Sequence, residues 1–484
     1  MGENVNVLVI VIDALRAKNL SCYGYPKLTS PNIDRLAKEG VLFENAYSCS
    51  DHTDPSFTTI FSGKYPISHG IIHHEESVTE EELRDFRLTG TKLLAEILAE
   101  AGYCTMGIDW LGRWHKRGYS FYGEYTEKNK KIGYRNLLIE SIGKTLYKLP
   151  YPIQKVLRKI RKTLDIPVRH NARDYTNLAI DLIKNVQDKF FMLIHYWDVH
   201  TPFDSIPKEF VDKFYENEKS EKVEDMLKSI ECSKWRDLVE RYHLKDVKFV
   251  HEVECIYNSA INYVDYNIGR LVDFLKDEGT YENTLIIVTG DHGDNLMRNG
   301  IFMGHFGLYE SVIHVPLIFS GGALPRGVLK GQRIEGFVQH VDIVPTILDI
   351  LGVCPKSHDF DGESLLPLML GEKLDLRGQI FAMEAGRERF AIRIGDYKYI
   401  YSPSPEKLYL DKWKENDILF KPACRSVREL YNLKEDPEES RNIVDEEKDI
   451  ANDLEEKLLS QIKMLKTKKE KTIIKNNIRK LSII

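Results

Sequence analysis

Two aspartates and a histidine stand where a divalent cation could be held. Asp13 ends the apolar run Val5–Ile12, and the adjacent pair Asp291-His292 follows the run Thr284–Thr289. A hard cation that activates a hydroxyl needs carboxylates and can use an imidazole. Gly290 and Gly293 flank the pair and permit the tight turn and close backbone approach of a metal loop. Each residue also has a plainer reading, since an Asp after a strand is commonly a turn or helix cap. The hydroxyl to be activated lies in Ser50–Gly70, SDHTDPSFTTIFSGKYPISHG. Thr53 precedes a helix expected over Ser56–Ser62, where free N–H groups and the helix dipole favour an anion. Ser50, Ser56 and Thr58 compete with it, and position alone does not choose among them.

Such residues need a frame that brings strand ends together. Val5–Ile12, Phe190–Tyr196, Thr284–Thr289 and Val315–Ser320 read as buried strands, and Pro31–Gly40, Thr91–Ala101 and Ser259–Lys276 as helices between them. The alternation predicts an α/β fold, a large mixed and mostly parallel sheet sandwiched by helices. Ligands bind such sheets beyond the carboxyl ends of strands, where Asp13, Asp198, His200, Asp291 and His292 all fall. The reading divides the chain into a catalytic α/β domain over 1–370, a small C-terminal α+β subdomain over 371–465 and a basic tail over 466–484. Insertions at about 132–173 and 209–248 would cover or frame the site. The tail reads as a solvated helix end or a loose segment.

The chain has 484 residues, a net charge of -6 and 29% charged residues, so no global basic field predicts nucleic-acid binding. Its seven cysteines are scattered singly with no CxxC pair, which suggests free thiols in a reducing compartment. The first residues lack a basic signal-peptide start, and no run of about 18 apolar residues predicts a transmembrane segment. A cytoplasmic location is the expectation. The oligomeric state is not legible.

Several segments together resemble the sulfatase family within the alkaline phosphatase superfamily. They are Val7–Ser48, TDPSFTTIFSGKYPISHG, FFMLIHYWDVHTPF, LIIVTGDHGDN, MGHFGLYESVIHVPLIF, DYKYI and ELYNLKEDPEESRNIV, in that order. The resemblance implies an alkaline-phosphatase-like fold, a metal-dependent ester hydrolase and a small-molecule anionic ester as substrate. The family segment C/S-x-P-x-R aligns with Thr53–Phe57, so Thr53 takes the nucleophile position. Sulfatases need Cys or Ser there for oxidation to formylglycine, and Thr cannot yield that aldehyde. Phe57 replaces the arginine that supports it. The family's Asp-Asp after the first strand is Asp13-Ala14 here, and its later Asp-Asn is Asp291-His292.

The resemblance thus implies a metal set of Asp13, Asp291, His292 and Thr53, similar to threonine-using phosphodiesterases, phosphonate monoester hydrolases and phosphoglycerol transferases. One divalent ion is expected, Mn, Zn or Mg ahead of Ca, because imidazole is a poor calcium ligand. His200 and His305 match catalytic positions at the substrate oxyanion or leaving group. Arg113 and His115 fall near a substrate-binding Lys-x-His pair. The expected activity is hydrolysis, or transfer, of a phosphodiester or monoester through a covalent intermediate on Thr53. The alternatives are a sulfatase without formylglycine and an inactive sulfatase-like binding protein. His195 and His340 read as core histidines, His52 as a substrate contact or an exposed residue, and His73 and His74 as surface residues. Asp198, His200 and His305 could hold a second metal, but their spacing is not the one-turn spacing expected of such a site.

Overall fold

Asn6–Ile12 (β1) is apolar at nearly every position because both of its faces are covered. Leu8, Ile10 and Ile12 enter one core with Tyr257, Ile261 and Ile268 of the helix Val250–Asp277. Val7, Val9 and Val11 enter the other with Phe57, Ile60 and Phe61. A single strand therefore joins two helical layers, the arrangement of a sheet sandwiched by helices.

The computed structural model describes residues 4–123, 170–203, 205–211, 213–215, 220–228, 247–296, 304–355, 359–402 and 427–481. The strands of the large sheet are β1, Val41–Tyr47 (β2), Cys104–Ile108 (β3), Phe121–Tyr122 (β4), Phe190–Tyr196 (β5), Thr284–Gly290 (β6), Leu317–Ser320 (β7) and Gln332–Gln339 (β8). Their order is β4-β3-β5-β1-β6-β7-β2-β8. Only β7 runs antiparallel to its neighbours, so the sheet is mixed and mostly parallel. Central β1 pairs with β5 and β6 in a register that sets Ile12 beside Tyr196 and Gly290. The carboxyl ends of these strands thus open at one level.

Helix boundaries depart from the sequence reading in three places. Pro31–Glu39 (α1) matches, but Thr53–Ser62 (α2) starts three residues before the expected Ser56. Proline is tolerated in a first turn, whose N–H groups lack intrahelical partners, so Pro55 need not mark the boundary. The helix expected from Thr91 spans Leu94–Glu100. The one expected from Ser259 begins at Val250 and is 28 residues long.

A second, antiparallel sheet follows, Gln379–Met383 (β9), Phe390–Ile394 (β10), Tyr397–Tyr401 (β11) and Arg428–Asn432 (β12), in the order β12-β11-β10-β9. The helix Lys448–Leu481 lays Leu454, Leu458, Ile462 and Leu465 against Ile392 and Tyr399 of that sheet. Residues beyond 466 are not a loose segment in this structure. They continue the helix to Leu481, with Lys468 paired to Asp361 at 2.7 Å and Lys469 to Asp85 at 2.7 Å. Of the expected insertions, residues 132–169 and 229–246 lie outside the described residues. No helix among the described residues is long and apolar enough to cross a membrane.

Candidate active site

Asp13 follows β1 directly, and its N–H donates to Tyr196 O of β5 at 2.8 Å. Asp291 and His292 follow β6, in register with Asp13. The glycines beside them sit under close backbone: a Cβ on Gly290 would fall 2.6 Å from Leu15 O, and one on Gly293 2.3 Å from Ser311 O. Ala14 adopts the left-handed conformation, φ 58°, which points its N–H at Asp291 Oδ1, 3.1 Å away. Where the family pattern has its second aspartate, Ala14 instead offers a backbone donor to Asp291 across the strand ends.

Asp13, Asp291 and His292 are buried, and their ligand atoms lie within 4.8 Å of one another. No other such group occurs among the described residues. Thr53, the first residue of α2, places Oγ1 3.3 Å from His292 Nε2. The donor set suits a divalent cation. Asp291 Oδ2 is buried with no hydrogen-bond partner, and its only ion-pair contact among the described residues is His292 at 3.4 Å. A buried carboxylate oxygen whose one charged neighbour is an imidazole leaves negative charge that a cation would balance.

Imidazoles line the other side. His305 stacks on His292 with ring centroids 4.2 Å apart, and His200 lies 5.4 Å from His305. Each of the three turns Nδ1 to a carbonyl: His292 to Gly293 at 2.9 Å, His305 to Asp51 at 2.7 Å and His200 to Thr201 at 2.5 Å. A carbonyl only accepts, so Nδ1 carries the proton and Nε2 faces the site. Burial lowers the pKa of His292, outweighing the opposing charge of Asp291. Burial and then the neighbouring histidines hold His305 well below its ordinary value. Both rings are therefore neutral, with Nε2 free to accept.

Arg113 and His115 arrive beside Thr53, but not as free anion binders. Both bind the carboxylate of Asp54, Arg113 Nη2 at 2.6 Å and His115 Nε2 at 2.9 Å. His74 Nδ1 at 2.9 Å and the Glu75 N–H at 2.7 Å complete its shell. Burial would raise the Asp54 pKa, but the bonds from His115 and His74 hold it far below the carboxylate range. His74 and His73 are thus not simple surface residues: they pair with Asp54 and with Glu82. His52, the residue before Thr53, lies 4.5 Å from the His305 ring and is partly buried.

His340 is a core histidine, bonded to Ser56 and Thr289, with its pKa pushed down to about 4 by burial. His195 is equally buried but stands beside Asp13. Asp198 accepts from the Ser205 hydroxyl at 2.8 Å and belongs to no three-ligand group among the described residues. The sequence reading overlooked Asp54 and Asp109, which bind Arg113 and His195 respectively. Asp54 carried one signal: it is a charge inside the nucleophile motif itself.

The sulfatase family profile matches residues 5–353, and a C-terminal profile of N-sulphoglucosamine sulphohydrolase matches 299–468. The chain is 23% identical to an N-acetylglucosamine-6-O-sulfatase of Bacteroides thetaiotaomicron, over 90% of this chain and 82% of that protein. It is 27% identical to human iduronate 2-sulfatase, over 72% of this chain and 70% of that one. Among solved structures it is similar to the phosphonate monoester hydrolase of Agrobacterium radiobacter, with a TM-score of 0.68, 20% identity, and coverage of 95% and 96%. A 2-O GAG sulfatase matches with a TM-score of 0.65, 19% identity, and coverage of 96% and 93%.

Proposed function

The chain belongs to the sulfatase family of ester hydrolases, and from that premise we propose that it cleaves phosphate-type esters by attack of the Thr53 hydroxyl. One observation carries the reading: Thr53 Oγ1 lies 3.3 Å from His292 Nε2, at the edge of the Asp13, Asp291 and His292 group. A threonine there cannot become formylglycine, and Phe57 offers no donor in place of the family arginine. Asp13, Asp291, His292 and Thr53 would hold one divalent ion, with Mn, Zn or Mg favoured over Ca by the imidazole. Such an ion supplies Lewis-acid polarisation and lowers the pKa of the hydroxyl.

The chain's own groups do the rest. Thr53 gives its proton to solvent and attacks phosphorus in line, and the bond to the leaving oxygen breaks. That oxygen takes a proton from His200 or His305. Because His305 is neutral at rest, it has to gain a proton as the anion binds. Water, or an acceptor alcohol, then releases Thr53. Asp54 offsets the charge of Arg113 and occupies His115, so a singly charged ester fits better than a dianion. Phosphodiesters and phosphonate monoesters therefore rank ahead of phosphate monoesters.

A sulfate ester is the second reading, favoured because it is also singly charged and because the sequence relatives are named as sulfatases. The five described cysteines are free, in keeping with a cytoplasmic location. Parallel assays with aryl phosphodiester, phosphonate monoester, phosphate monoester and sulfate ester test the proposal. Turnover of the first two, lost in a folded Thr53→Ala variant, is expected. Turnover of the sulfate alone would overturn the preference for phosphorus.

A further inference from the structure

A buried imidazole needs partners for both nitrogens, and His195 has one. It lies on β5 and is fully buried. Its Nδ1 donates to Asp109 Oδ1 at 2.8 Å. Asp109 follows β3 and is itself fixed by the Trp110 N–H at 2.8 Å and by the Tyr122 hydroxyl. The other nitrogen, Nε2, has no hydrogen-bond partner among the described residues and faces Asp13 Oδ2 at 4.0 Å. Asp13 Oδ1 lies on the opposite side, 3.6 Å from His292 Nε2. Asp13 thus stands between two imidazoles, one inside the candidate metal group and one outside it. The Phe57 ring lies 4.4 Å from the His195 ring, and Trp110 stacks at 6.3 Å.

A carboxylate that ligates a cation through one oxygen is steered by what its other oxygen meets. We propose that Asp109 and His195 are positioning residues for Asp13. Asp109 fixes the plane of the ring, and His195 presents its second nitrogen to Asp13 Oδ2, which aims Oδ1 at the cation. The ring spans the two carboxylates, 2.8 Å from Asp109 Oδ1 on one side and 4.0 Å from Asp13 Oδ2 on the other. The gap closes to hydrogen-bond length with a shift of about 1 Å. Phe57 has no donor for this oxygen, so the contact comes from β5 instead. His195 is not itself a ligand, since Nε2 lies outside the cluster of ligand atoms within 4.8 Å. The proposal rests on the reading of Asp13, Asp291 and His292 as a metal site.

The test is Mn2+ binding to the full chain, followed by the electron paramagnetic resonance signal of the free ion. The variants are His195→Phe, His195→Gln, Asp109→Asn and Asp291→Asn, each checked for folding by circular dichroism. His195→Phe and Asp109→Asn should weaken binding about 10–100-fold. His195→Gln, whose amide can still reach Asp13, should recover part of the loss. A folded His195→Phe or Asp109→Asn that binds Mn2+ within about twofold of the wild type overturns the proposal. If His195→Phe does not fold, Asp109→Asn decides by the same criterion. Wild-type binding in Asp291→Asn would show that the metal reading, and the dyad with it, is wrong.

Discussion

Two buried clusters of charge lie in this protein, and they are built by opposite rules. Where the second sheet meets the large domain, every carboxylate has a matching cation. Lys398, fully buried, pairs with Glu310 at 3.0 Å and with Glu439. Arg393 joins Glu310 at 3.2 Å, and Arg389 pairs with Glu429. Tyr309 and Tyr431 donate to Glu429 at 2.9 and 2.7 Å. At the ends of β1 and β6, by contrast, Asp13 lies near His195 and His292, and Asp291 meets His292 and the backbone N–H groups of Ala14 and His292. The first cluster balances its charge from within the chain and fastens two sheets together. The second gives Asp291 no Lys or Arg partner among the described residues, and a bound cation would balance its charge. Burial by itself does not mark function; local imbalance of charge does.

The contrast can be broken by experiment, and the largest effect belongs at the site. Asp291→Asn should cut turnover on the order of 10^3-fold or more, because a ligand and an electrostatic partner are lost together. The same variant should leave metal-free stability unchanged or raise it by about 1 kcal/mol, since it removes a buried charge lacking a cation. Calorimetry in chelator reads that term, and a clear loss of stability would erase the distinction. Lys398→Met should do the reverse, costing about 3–5 kcal/mol in denaturant unfolding while leaving Mn2+ affinity unchanged.

A smaller effect is expected at Asp54. Asp54→Asn frees the charge of Arg113, so kcat/KM for a phosphate monoester should rise about tenfold relative to a diester. An unchanged ratio would mean that the Asp54 cluster only anchors the start of α2. The smallest effect concerns pH. Burial raises the Glu310 pKa, but Lys398 and Arg393 outweigh it and push it down to about 2. Its ion pairs therefore stabilise the fold above the ordinary carboxylate pKa of about 4.5 and are lost as pH falls toward 2. Glu310→Gln should flatten the fall in stability between those values.

The two clusters were also unequally legible in the sequence. Asp13, Asp291 and His292 could be placed because β1 and β6 are buried on both faces, and a polar residue at such a strand end is conspicuous. Thr53 needed the family motif to separate it from Ser50, Ser56 and Thr58. The start of α2 is hidden by Pro55, which reads as a boundary although proline fits a first turn. Asp54 with Arg113, and Glu310 with Lys398, join residues far apart in the chain. Pairs of that kind leave no periodic signal. His195 looked like a core residue because its strand is apolar, and only the register with β1 sets it beside Asp13.

The central claim is that the Thr53 oxygen forms the covalent bond to substrate. Peptide mapping by mass spectrometry after acid quench of a turning-over aryl phosphodiester reaction tests it most directly. The account predicts a phosphoryl ester on Thr53, absent from Asp291→Asn. A clean Thr53 during turnover, or the adduct on another residue, would contradict it.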